Sequence, residues 1–158
     1  MKKMLVLDID GTLTNSKKKV SPATLNRLIK LQEEGHIVVL ASGRPTPGMM
    51  KVAKTIHLEE YGGYLLSFNG AKILNLKTGE IVYQKVLDNS LIKDLYKYAV
   101  LEDMGLVTYE SDCVITGTRI DDKMTLEAKI NGLELKTVDD FVNYVDFDVN
   151  KCLFTSDE

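Results

Sequence analysis

Between Met4 and Leu7 the chain runs through apolar residues without interruption, then sets Asp8 and Asp10 on either side of Ile9 and turns at Gly11. A short unbroken apolar run reads as a strand buried in a parallel sheet, and its first charge marks where the strand leaves that sheet. Side chains two apart on a strand share a face, so Asp8 and Asp10 are expected to converge on one point. Two carboxylates that close repel each other unless one is protonated or a cation lies between them. A hard divalent ion such as Mg2+, which takes oxygen ligands, resolves the conflict, making Asp8 and Asp10 candidate metal ligands as well as a candidate catalytic pair. Gly11 lets the backbone approach a ligand closely, and Thr12 adds a hydroxyl and a backbone donor.

The first half of the chain then alternates strand and helix, the pattern of an α/β fold with a parallel sheet. Ser21 is a good N-cap with Pro22 at the first helical position, Leu25, Leu28, Ile29 and Gln32 follow at helical spacing, and Gly35 ends the helix. Ile37 to Ala41 reads as a second buried strand, Thr46 and Pro47 open a helix with Met49, Val52, Ala53 and Ile56 on its inner stripe, and Tyr64 to Phe68 is a third strand. The runs Ala71 to Leu76 and Ile81 to Val86 flank Thr78-Gly79 as a hairpin. Beyond Leu87 the pattern changes. A helix capped near Asn89 or Ser90 and closed by Gly105 precedes strands at Leu106 to Tyr109 and Cys113 to Thr118, helical stretches near Asp121 to Ile130 and Val138 to Tyr144, and a strand at about Val149 to Thr155. The expected division is a core over residues 1–87 and a second α/β module over 88–158.

Ligands of open parallel sheets bind beyond the carboxyl ends of the strands, where Ser42, Gly43 and Arg44 follow the second strand. Ser42 can donate to a phosphate oxygen, Gly43 exposes a backbone N–H, and the Arg44 fork matches a phosphate. A formal charge of -3 argues against a nucleic-acid partner, which needs a basic footprint, and the Lys17-Lys18-Lys19 run reads as a solvated loop. No stretch has the length of a membrane span, and the apolar run after Lys2 and Lys3 is too short for a signal-peptide core. Cys113 and Cys152 lack metal-ligand spacing and suit reduced thiols in a cytoplasmic protein, while His36 and His57 stand alone as structural or surface residues. No pattern fixes an oligomeric state.

The segment Asp8-Ile9-Asp10-Gly11-Thr12, followed by Ala41-Ser42-Gly43-Arg44-Pro45 and Ser67-Phe68-Asn69-Gly70-Ala71, resembles the Cof-type branch (cap type IIB) of the haloacid dehalogenase superfamily. The resemblance implies a Rossmann-like core with an inserted α/β cap, and a Mg2+-dependent phosphatase of sugar phosphates and other small phosphorylated metabolites. It makes Asp8 the nucleophile of an aspartyl-phosphate mechanism and Asp10 the general acid and base, and it places Asn69 at a hairpin position beside the phosphate. Phosphomutases of the same superfamily open with similar motifs, and a non-catalytic remnant binding a phosphate ligand or a partner is a further alternative. In the Cof-type pattern a Lys and a Gly-Asp-x-x-Asn-Asp segment follow the cap, whereas the acidic residues after Lys151 are Asp157 and Glu158 alone. The resemblance therefore implies an incomplete core and a partial cap, the N-terminal part of a longer enzyme. On that expectation the chain binds Mg2+ weakly, turns over little, and exposes Leu5 and Leu7 on an uncovered edge strand.

Overall fold

A computed structural model of the chain describes residues 1–156, so the Asp157 and Glu158 of the expected ending lie outside the described residues. The chain divides into two compact units, Met1–Gln84 and Lys85–Glu158.

The first unit is built on a five-stranded sheet in the order β1-β2-β3-β4-β5, comprising β1 (Met4–Asp8), β2 (Ile37–Ala41), β3 (Tyr64–Ser67), β4 (Lys72–Asn75) and β5 (Ile81–Gln84). The first three are parallel, and β4 and β5 continue the sheet as an antiparallel hairpin. Helix α1 (Pro22–Glu33) begins where Ser21 accepts a hydrogen bond from the Thr24 N–H, and α2 (Thr46–Thr55) starts behind Pro45. A one-turn helix, α3 (Leu58–Tyr61), precedes β3. Because β1, β2 and β3 lie in chain order, right-handed crossovers put α1 and α2 on the same face of the sheet. That face holds the core of Leu28, Val38, Leu40, Met49, Ala53, Ile56, Leu58 and Leu65.

The phase of β1 differs from expectation. Leu5 and Leu7 pack partly buried against this core, while Met4 and Val6 on the opposite face are 60% and 53% exposed. Alternation along the strand explains it, since the residues that meet the helices are odd-numbered.

The second unit carries a sheet in the order β8-β7-β6-β9, comprising β6 (Gly105–Glu110), β7 (Cys113–Thr116), β8 (Glu134–Thr137) and β9 (Leu153–Thr155). The β6–β7 hairpin and the β6–β9 pair are antiparallel, and β7–β8 is parallel across helix α5 (Asp122–Asn131). Helix α4 (Ser90–Leu101) and the single turn α6 (Phe141–Tyr144) close a core around Ile92, Ala99, Leu106, Ile115 and Phe141.

The second unit differs from the sequence reading in several places. Gly105 does not close α4. That helix ends at Leu101, Asp103 takes a left-handed φ of 52°, and Gly105 opens β6, where a Cβ would collide with the Thr155 hydroxyl and the Met124 methyl. Strand β8, not expected, offers one half-buried apolar residue, Leu135, among Glu134, Lys136 and Thr137, too few for a visible alternation. The final strand is shorter than Val149 to Thr155, because Val149 C=O instead accepts from Leu87 N–H and Lys151 C=O from the Thr108 hydroxyl. Cys113 and Cys152 are free, and burial pushes the Cys152 thiol up to about 11, which leaves it protonated and unreactive near neutral pH. Among the described residues no helix is long and apolar enough to cross a membrane.

Candidate functional site

Two loops at the carboxyl ends of β1 and β2 make the site. The first leaves β1 at Asp8 and is pinned from below. Ile9 and Leu13 are buried, Leu13 N–H donates to Asp8 C=O at 3.1 Å, and the Thr14 N–H and hydroxyl both reach Ile9 C=O, at 3.0 and 2.8 Å. The alternating exposure continues past the strand end through Asp8, Ile9 and Asp10, and Gly11 and Thr12 in the turn are exposed as well. Gly11 has φ +81° and open space where a Cβ would stand, so its place here rests on backbone conformation. Among the described residues none donates a hydrogen bond to the Asp8 carboxylate.

The second loop is held by β3 and the turn after it. In register, Asp8 pairs with Ala41 and Ala41 with Leu66, which sets Ser42 at the level where both neighbouring chains leave the sheet. Ser42 N–H donates to Leu66 C=O at 2.9 Å, Asn69 N–H to Ser42 C=O at 3.1 Å and Phe68 N–H to Arg44 C=O at 2.9 Å. The Ser42 Oγ accepts from Arg44 N–H at 3.2 Å, which leaves its hydroxyl proton available for donation to a ligand. Phe68, Asn69 and Gly70 form a 3-10 turn with φ of 53°, 58° and 88° in succession. For a bulky Phe such a conformation costs on the order of 1–2 kcal/mol, a strain kept only where the surroundings fix it. Its effect is to bring Asn69 against Gly43, where an added Cβ would lie 2.8 Å from Asn69 Oδ1. Ser42, Arg44 and Asn69 are thus joined by hydrogen bonds, with Gly43 packed against Asn69.

Arg44 joins the two loops. Its guanidinium grips both oxygens of Asp10, Nε to Oδ2 at 2.7 Å and Nη2 to Oδ1 at 2.8 Å, and Nη1 donates to Gly48 C=O at 3.2 Å in α2. The fork that sequence alone aims at a phosphate lies here on a carboxylate. Lys18 Nζ, at 2.7 Å from Asp10 Oδ1, adds a second cation, so the charge of Asp10 is met by protein side chains. Lys18 is the site residue that a solvated reading of the lysine run misses. The available signal was Asn15, whose side chain accepts from the Lys17 and Lys19 N–H groups and folds the loop back on itself.

The hydrogen bonds from Arg44, above all, and from Lys18 hold the Asp10 carboxyl below its ordinary 3.8, against partial burial pushing upward. A depressed folded-state pKa contributes stability that is present above the unfolded value and lost as pH falls through the folded one. Arg44→Gln is therefore expected to lower stability by a pH-independent part, from the lost Gly48 bond, and by roughly 0.5–1 kcal/mol from a partly exposed pair at neutral pH. Urea unfolding from about pH 7 to about pH 2 should show the second part closing below about pH 4. Parallel curves for the two proteins would mean that the pair contributes nothing.

No cluster of three or more His, Cys, Asp or Glu side chains capable of holding a metal occurs among the described residues. What the site offers a cation is the Asp8 carboxylate and the loop's backbone carbonyls, an all-oxygen set. This fits a hard ion such as Mg2+, which keeps several waters and takes only one or two carboxylates.

The profile of the haloacid dehalogenase-like hydrolases matches residues 5–158, and the chain belongs to that family. Among curated relatives, YxeH of Bacillus subtilis (strain 168) is 29% identical over 119 residues, covering 75% of this chain and 44% of YxeH. Phosphatase YwpJ of the same organism is 25% identical over 114 residues, covering 72% of this chain and 39% of YwpJ. The crystal structure of a haloacid dehalogenase-like hydrolase from Bacteroides thetaiotaomicron superposes with a TM-score of 0.93 at 38% identity, covering 99% of this chain and 59% of that one. A sugar phosphatase of subclass IIB, BT4131, shares the fold with a TM-score of 0.72 at 16% identity, covering 94% of this chain and 56% of that one. The chain thus spans less than half the length of these two curated relatives.

Proposed function

We propose that the chain carries the nucleophile half of a Mg2+-dependent phosphatase acting on small phosphorylated metabolites, sugar phosphates among them. The observation that supports this most is the placing of Asp8, with a carboxylate no described donor occupies, at the parallel sheet edge that also presents Asp10 and the Ser42–Arg44 loop. In this reading an Asp8 oxygen attacks phosphorus, an acyl-phosphate bond forms as the ester P–O bond breaks, and Asp10 gives a proton to the leaving alkoxide. Water then attacks the phosphorus and loses its proton to Asp10, which frees Asp8 and orthophosphate. The Ser42 hydroxyl, the backbone of Gly11, Thr12 and Gly43, Arg44 and Asn69 bind the equatorial oxygens, where the charge spreads. The Asp8 carboxylate and the Asp10 backbone carbonyl would hold Mg2+ together with water, and the ion would supply positive charge to those oxygens.

The Arg44–Asp10 pair suits the hydrolytic half, since it favours the ionised Asp10 that accepts a proton from water. For the first half the guanidinium must pass from Asp10 to the phosphate, which lets the carboxyl hold the proton it gives away. Substrate choice is assigned to the second unit, read as a cap, and the two free cysteines agree with a reducing cytoplasmic setting. The test is orthophosphate release by this chain from a panel of hexose phosphates and aryl phosphates with Mg2+, with and without a chelator. Slow release that the chelator abolishes is expected. No release from any member of the panel would overturn the reading.

A further inference from the structure

We infer that Lys18 is a phosphate-binding residue of this site, holding Asp10 while the site is empty and engaging the phosphate dianion when it arrives. The inference rests on the phosphoryl-transfer reading above. Its first ground is the donor count on Asp10: the Arg44 fork already reaches both carboxylate oxygens, and Lys18 is a third donor that doubles up on Oδ1. Arg44 alone already meets the charge of Asp10, so Lys18 is a second cation on one carboxylate and is available to an incoming phosphate oxygen.

The second ground is that the loop is built to present this side chain. Asn15 Oδ1 accepts from Lys17 N–H at 2.9 Å and Lys19 N–H at 3.1 Å, Asn15 N–H donates to Lys19 C=O at 3.0 Å, and Lys18 N–H to Asn15 C=O at 2.8 Å. Within that closed loop Lys18 takes φ 57°, a left-handed conformation that a Lys adopts only where its surroundings impose it. Of the three lysines in the run, Lys18 is the one that forms an ion pair among the described residues. The third ground is freedom to move. The Lys18 side chain is 62% exposed against 14% for Arg44, so its ammonium can turn from Asp10 to an incoming oxyanion without leaving water.

The experiment titrates this chain with inorganic phosphate in the presence of Mg2+, at low and high salt, for the wild type, Lys18→Gln, Lys18→Arg and Lys17→Gln. Lys18→Gln is expected to weaken phosphate binding about tenfold and to flatten its salt dependence, as loss of one charged hydrogen bond does. Lys18→Arg should stay within a few-fold of the wild type, and Lys17→Gln should match it. Unchanged binding by Lys18→Gln, or equal weakening by Lys17→Gln, would overturn the role of Lys18 alone. A wild type that binds no phosphate would overturn the phosphoryl-transfer reading and this inference with it.

Discussion

Asp8→Asn is expected to lower orthophosphate release at least about a thousandfold while leaving the melting temperature where it was, because it removes the nucleophile and keeps the shape. The two halves of that expectation have separate physical sources. Asp8 ends β1 through backbone bonds, which its side chain does not enter, and the side chain is exposed with no donor among the described residues. Its removal therefore breaks no packing and no fold-stabilising hydrogen bond, and surface changes of that kind stay within about 0.5 kcal/mol. The chemistry has no such slack: an amide does not displace a phosphoryl oxygen, and no second carboxylate stands in its place, since Asp10 is held by Arg44 and Lys18. Phosphate release measured side by side with a thermal melt decides the matter. A variant that keeps its rate would remove Asp8 from the mechanism, and one that melts early would make it a structural residue.

The parallel half of the fold was legible because its strands are apolar runs and their signals are local. Met4 to Leu7 and Ile37 to Ala41 are apolar runs with a capped helix between them, and Ser21 and Pro22 announce that helix by chemistry that acts within one turn. The second unit was read less well where the deciding contact is distant. Gly105 looks like a helix stop until Thr155 and Met124 close on it across the sheet, and β8 exists because β7 pairs with it rather than because of its own composition. The same division runs through the site. Asp8, Asp10, Gly11, Thr12, Ser42, Gly43 and Arg44 stand out as short motifs beside strand ends, but which of them touch is a tertiary fact. The Arg44–Asp10 pair joins residues 34 apart in the chain, and the Lys18 contact needs the Asn15 turn to bring the loop back.

Leu40→Ala is expected to cost about 2–5 kcal/mol, the range for truncating a fully buried leucine. Leu40 has no exposure and stands in register with Leu7 on one side and Leu65 on the other, a row of leucines crossing the three parallel strands. The next residues up the strands are Asp8, Ala41 and Leu66, so this row is the layer directly beneath the two loops. Truncation leaves a cavity that the facing α1 and α2 can only partly collapse into, because Leu28, Met49 and Ala53 are already packed in the same core. Against a total stability of about 5–15 kcal/mol such a loss is large, and it should appear as a lower urea midpoint with little change in slope. Val6→Thr is the matched control. It lies on the same strand as Leu7 but on the open face, 53% exposed, and should shift stability by no more than about 0.5 kcal/mol. Equal effects from the two substitutions would mean that the leucine row is not what holds the strand ends, and with them Asp8 and Ser42, in place.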